Sequence, residues 1–167
     1  MLRMVEPTRF DELLTILQRS EVNFILIGGL AGMAHGSNRA TLDVDVVYDR
    51  SPENIRRLVA ALRPHDPYPR GAPPGLPFLW DEVTITSGLN FTLQTKVGAI
   101  DLLGEATGQG NYENLSECCT TIKIFGTQCQ CVTLAKLIEL KRAAGRPKDF
   151  EAIAELEYLL SQREDEI

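Results

Sequence analysis

The sequence predicts an α/β fold, on three observations. Helix and strand signals alternate through its first third around a paired glycine turn, strand-like runs resume after a proline-rich break, and two amphipathic helices close the chain. Thr8, followed by Asp11 and Glu12, marks the start of a helix that carries Phe10, Leu13, Leu14 and Leu17 on one face and ends near Ser20. The apolar run NFILI at 23–27 is a short strand leading into Gly28 and Gly29, and LAGMAH after it favours a short helix closed by Gly36. TLDVDVVYD is the second strand. Ser51 caps a helix with Pro52 and Glu53 in its first turn, which runs to about Leu62 and turns Ile55, Leu58, Val59 and Leu62 inward.

From Arg63 to Leu79, six prolines and two glycines exclude regular structure and predict a flap or spacer, with Phe78 and Trp80 anchoring its end. EVTIT, LNFTLQT and VGAIDLL then alternate as strands. CCTTIKIFGTQCQCVTL reads as a hairpin turning at Gly126 and Thr127, and TLAKLIELKRAAG and PKDFEAIAELEYLLSQ as two helices broken at Gly145 to Pro147. Residues 1–167 are read as one domain, an α/β core over 1–132 with a helical segment over 133–167.

A 167-residue chain with 44% hydrophobic residues can bury a real core. Seventeen basic against twenty-three acidic residues, net charge −6, argue against broad adhesion to nucleic acid or anionic membrane. No run approaches the ~18 apolar residues of a membrane span, and the amino-terminal stretch meets charge and proline early, so a cytoplasmic protein with no membrane partner is expected. Cys118, Cys119, Cys129 and Cys131 are then reduced thiols. Zinc binding is disfavoured, because the spacings differ from the usual pairs and residues 118 and 119 point to opposite strand faces; buried small thiols are the better reading.

The chemistry lies in three carboxylates. Residues two apart on a strand share a face, so Asp43 and Asp45 converge on one cation while Val44, Val46 and Val47 hold the strand in the core. Asp101, on another strand, completes an oxygen half-shell of the kind that holds Mg²⁺ or Mn²⁺ together with substrate phosphates, and phosphoryl or nucleotidyl transfer is the reaction class that follows. The alternative for Asp101 is an ion pair with an arginine such as Arg39. Gly28 and Gly29 let phosphates approach the backbone, Ser37 and Asn38 offer side-chain donors and Arg39 a charge. In the basic cluster near the carboxyl end, Lys141, Arg146 and Lys148 are candidate phosphate contacts, against the plain alternative of a solvated helix face paired with acids. His35 reads as a helix-terminal histidine bonded to backbone rather than as a base.

The glycine pair, the following DVDV, the preceding apolar strand and the later strand aspartate resemble the signature of the DNA polymerase β-like nucleotidyltransferase superfamily. The strings IGGLAGMAHGSNRATLDVDVV and LIELKRAAGRPKDFEAIAEL look closer to its small bacterial and archaeal members, which include the AbiEii-like toxins. The likeness spans most of the chain apart from the proline-rich stretch. It implies a minimal nucleotidyltransferase fold: a short mixed sheet flanked by helices, the metal site on the sheet, and carboxy-terminal helices closing a nucleotide cleft. By motif position, Gly28 and Gly29 would cradle the triphosphate, Asp43 and Asp45 hold both metal ions, and Asp101 reach the second ion and activate the acceptor hydroxyl. Lys141 and Asp149 would serve the site, with Arg146 and Lys148 as further phosphate contacts. The implied reaction moves NMP from an NTP to a hydroxyl of tRNA, a protein or a small molecule, with a cognate toxin or antitoxin as partner. Two other readings stay open: a non-catalytic nucleotide-binding or antitoxin-like module of the same fold, and an aminoglycoside-type adenylyltransferase.

Overall fold

Burial of apolar strand faces builds a seven-stranded mixed sheet in the computed structural model, which describes residues 7–106 and 108–165. Helix α1 (Phe10–Arg19) precedes β1 (Phe24–Ile27), all four of whose residues are buried. The chain turns at once into α2 (Gly28–Ala34) and returns as β2 (Asp43–Tyr48), antiparallel to β1. Helix α3 (Pro52–Leu62) starts where the Ser51 side chain accepts from the Asn54 backbone N–H, the cap expected from sequence. Then come β3 (Tyr68–Pro69), α4 (Glu82–Ser87), β4 (Asn90–Thr95), β5 (Gly98–Leu103), α5 (Tyr112–Ser116), β6 (Cys119–Ile124), β7 (Thr127–Val132), α6 (Leu134–Ala144) and α7 (Asp149–Asp165). The strand order is β3-β4-β5-β2-β1-β7-β6, with β2–β5 and β1–β7 parallel and the other pairs antiparallel.

The core runs from Leu13, Leu14 and Leu17 of α1 through Leu26, Val44, Val46, Leu58, Leu62, Ile100 and Leu102 to Leu137, Ile138 and Leu156 of the last two helices. Asn54, fully buried, ties α3 to the sheet: its amide donates to the Asn23 and Asp49 carbonyls and accepts from the Asn23 N–H. Trp80 closes the proline-rich stretch with its indole N–H on the Val59 carbonyl, the anchoring role expected of it. Among the described residues no helix is long and apolar enough to cross a membrane.

Several local expectations are corrected. Thr8 does not cap α1; its hydroxyl donates to the Leu42 carbonyl and accepts from the Ala99 N–H, clipping the entry to β2 onto β5. EVTIT is helical, not a strand, because the Asp81 carboxylate accepts from the Thr84 N–H and starts α4, which Gly88 ends. The stretch 63–79 is not free of regular structure: Arg63–His65 is a 3₁₀ turn and β3 lies antiparallel to β4. The hairpin turns at Phe125 and Gly126, both left-handed, one residue earlier than expected.

Candidate active site

Strand register brings the three carboxylates together. Asp45 is level with Asp101 on parallel β5 and with Ile27 on β1, and Asp43 lies two residues away on the same face of β2. Carboxylate oxygens of Asp43, Asp45 and Asp101 all lie within 4.8 Å of one another, the one such group of potential metal ligands among the described residues. Unpaired anions this close repel, and burial worsens the repulsion. Burial first, then the charge of Asp43 and a hydrogen bond with Asp101, push the Asp45 carboxyl up to about 8. Asp43 is raised by burial and by the charge of Asp101, against the opposing pull of Arg70 and Lys148.

Directly after Ile27, Gly28 adopts φ +69°, and a Cβ there would stand 2.1 Å from the Asp45 Oδ2. A Cβ on Gly29 would stand 2.7 Å from the Thr41 hydroxyl. The space left by the two glycines is thus filled by Asp45 and Thr41, a use of the pair that the sequence did not disclose. An all-oxygen donor set on a rigid sheet fits Mg²⁺ or Mn²⁺ and does not suit the thiol- and imidazole-seeking metals.

These residues line a cleft of about 640 Å³ together with Arg70, Lys141, Arg146, Lys148 and Asp149. Asp149, buried, accepts from the Arg146 Nε at 2.7 Å and lies 3.9 Å from the Lys141 ammonium, so one carboxylate organises both cations. Burial lowers the Lys141 pKa, partly offset by the charges of Asp149 and Asp45. Ser37 and Arg39 lie apart from this cleft: they line an adjoining pocket of about 190 Å³ that shares Gly29, Lys141, Lys148 and Asp149 with it. Arg39 pairs with Glu151 at 3.4 Å, and its backbone N–H donates to the Ser37 hydroxyl.

Arg70 is the cleft residue that sequence reading missed. Its guanidinium, not that of Arg39, pairs with Asp101 (2.8 Å) and also with Asp43 (3.3 Å). His35 is no cleft residue; its Nε2 meets the Val132 carbonyl, and Arg163 holds its Nδ1 and carbonyl. All four cysteines are free. Cys129 and Cys131 are buried as expected, while Cys118 and Cys119 are only half-buried; burial pushes the Cys131 thiol up to about 12 and those of Cys119 and Cys129 to about 11, which disfavours the thiolate at those three.

The sequence matches no family model and no curated protein. The structure is similar to the crystal structure of a protein of Thermotoga maritima described as a "putative nucleotidyltransferase", with a TM-score of 0.53 over 92% of this chain and 94% of that one, at 13% identity. The fold is nucleotidyltransferase-like. The mixed sheet, flanking helices and two carboxy-terminal helices expected from the sequence are all present in it. At 13% identity the likeness concerns the fold, and the chemistry has to be argued from the cleft.

Proposed function

We propose that this chain is a Mg²⁺- or Mn²⁺-dependent nucleotidyltransferase that moves NMP from an NTP to an acceptor hydroxyl. The acceptor oxygen attacks the α-phosphorus, its proton passes to a carboxylate, and the bond to the β-phosphate breaks to release pyrophosphate. What carries this reading is the convergence of Asp43, Asp45 and Asp101 from two register-matched strands at the floor of a cleft whose wall bears Lys141, Arg146 and Lys148. A bound divalent ion would supply charge neutralisation on the phosphates and acidify the attacking hydroxyl. Asp43, Asp45 and Asp101 would hold it, and Asp101 would also take the proton of the acceptor hydroxyl. Gly28 and Gly29, with Lys141, Arg146 and Lys148, face the polyphosphate, and Asp149 keeps Lys141 and Arg146 in place. Ser37 and Arg39, in the adjoining pocket, suit the more distant part of the nucleotide.

The chain works as one catalytic unit, its 1–132 core covered by the 133–167 helices; the shared core residues Leu137, Ile138 and Leu156 support this. Acceptors are the hydroxyls of an RNA end, a protein or a small molecule, and an AbiEii-like role paired with a cognate antitoxin follows from the sequence resemblance. Free thiols accord with a cytoplasmic setting. A non-catalytic nucleotide-binding module is the second reading, favoured by one observation: Arg70 already pairs with Asp43 and Asp101. Incubating wild type and Asp43→Asn with each α-³²P-labelled NTP, Mg²⁺ or Mn²⁺, and cellular RNA, protein or aminoglycosides separates the two. Label on one acceptor with wild type alone supports transfer; bound nucleotide without label or pyrophosphate selects the module.

A further inference from the structure

Arg70 stands at the end of a row that crosses the sheet. Its backbone N–H donates to the Thr92 carbonyl at 2.9 Å, extending the β3–β4 ladder, and Thr92 is level with Asp101, which is level with Asp45. Gly71, with φ +77°, then turns the chain away. The backbone of Arg70 is therefore fixed, while its long side chain reaches over β4 into the cleft. There Nη2 donates to the Leu93 carbonyl and to Asp101 Oδ1, both at 2.8 Å, and Nη1 donates to Asp43 Oδ2 at 3.3 Å. Nε is buried without a hydrogen-bond partner. The guanidinium thus spans Asp43 and Asp101, and an ion shared by those two residues needs the same oxygen atoms and the same space.

Three further properties set the balance. The fork is incompletely satisfied, because a guanidinium offers five N–H donors and the buried Nε–H goes unused. It brings one positive charge to three carboxylates, whereas a hard divalent ion brings two and coordinates the oxygens directly. The side chain is partly solvent-accessible and leads into the open cleft, so it has somewhere to go.

We propose that Arg70 is a tethered counter-cation that competes with the divalent ion for Asp43 and Asp101: it holds those carboxylates together in the metal-free protein and is expelled when the ion binds. The inference rests on the metal reading of the same cleft. It also accounts for three acids persisting side by side before any ion arrives. Binding of ion and binding of guanidinium are negatively coupled, and such coupling is reciprocal.

Mn²⁺ titration of the full chain at pH 8.5, followed by electron paramagnetic resonance of the free ion, tests the competition without reference to activity. Arg70→Gln should bind Mn²⁺ at least about fivefold more tightly than wild type. Arg70→Lys, which keeps a charge but loses the fork, should fall between the two. Without metal, Arg70→Gln should melt below wild type, and saturating Mn²⁺ should remove the difference. Should the variants fold poorly, the wild type itself answers: on Mg²⁺ titration the Arg70 Nε–H resonance should move in step with metal binding. Equal or weaker Mn²⁺ affinity in Arg70→Gln, or an Arg70 resonance unmoved at Mg²⁺ saturation, overturns the competition while leaving the metal site standing. No Mn²⁺ bound by wild type or variant overturns the metal reading, and the competition with it.

Discussion

Binding of a divalent ion to the acidic cluster should strengthen steeply with pH, because the ion must replace a proton that the fold keeps on Asp45. Burial, the charge of Asp43 and the hydrogen bond with Asp101 push that carboxyl up to about 8, and metal coordinates only the ionised form. Between pH 6 and 8 the ionised fraction of such a group climbs from about 1% to about one half, so apparent affinity should rise about fiftyfold. Asp43, raised by burial and by Asp101, adds slope of the same sign. Isothermal titration with Mn²⁺ from pH 6 to 9, repeated in buffers of different protonation enthalpy, yields both the affinity and the protons released. About one proton or more should leave per ion below pH 7, with the slope flattening above pH 8. Affinity that stays level from pH 6 to 8 with no proton released would refute the crowding of Asp45. Stability of the metal-free protein runs in the opposite sense: the folded pKa of Asp45 lies above its ordinary value of 3.8, so its contribution is full below about pH 4 and is lost as pH rises through about 8. In metal-free protein, Asp45→Asn should therefore gain in melting temperature relative to wild type as pH increases, and a constant difference would contradict the linkage.

Three other perturbations probe the cleft and its support. Gly28→Ala puts a methyl 2.1 Å from Asp45 Oδ2 in a left-handed backbone; it should cost about 1–2 kcal/mol in urea denaturation and weaken Mn²⁺ binding at least about tenfold, and an unchanged affinity would show that Asp45 does not need that space. Asn54→Leu leaves the Asn23 N–H and two carbonyls without their side-chain partner; about 3 kcal/mol of stability should be lost with Mn²⁺ affinity intact, and a neutral result would show that water replaces the amide. Lys141→Met should weaken nucleotide binding about tenfold and leave Mn²⁺ binding no weaker, as measured by fluorescence titration with a labelled NTP; equal nucleotide affinity would remove Lys141 from the phosphate wall.

Legibility followed the range of the interaction. Asp43 and Asp45 were readable because a two-residue period with valines between them is a local property of β2. Asp101 was readable as a strand aspartate, but its position level with Asp45 depends on β2 and β5 pairing in parallel, a partnership between distant segments. Arg70 was hidden for the same reason: six prolines dominate its surroundings, and only the pairing of Tyr68 and Pro69 with β4 aims it at the acids. Thr8 carried a capping pattern that lost to two longer-range hydrogen bonds. EVTIT was misread although its signal was present, since Asp81 three residues before Thr84 is an N-cap spacing that outweighed a short β-like alternation. Helix α5 likewise announced itself in Asn111 and Asn114, whose side chains reciprocally bond each other's backbone N–H groups.

A metal site formed by Asp43, Asp45 and Asp101, with a nucleotide's phosphates placed on it, is best sought by locating the ion itself. Crystals grown with Mn²⁺ and a non-hydrolysable NTP analogue should give an anomalous difference peak bonded to oxygens of Asp43 and Asp45, with the polyphosphate between that peak and Lys141. A nucleotide bound elsewhere, or an Mn²⁺ peak away from the three carboxylates while Arg70 still bridges Asp43 and Asp101, would contradict it.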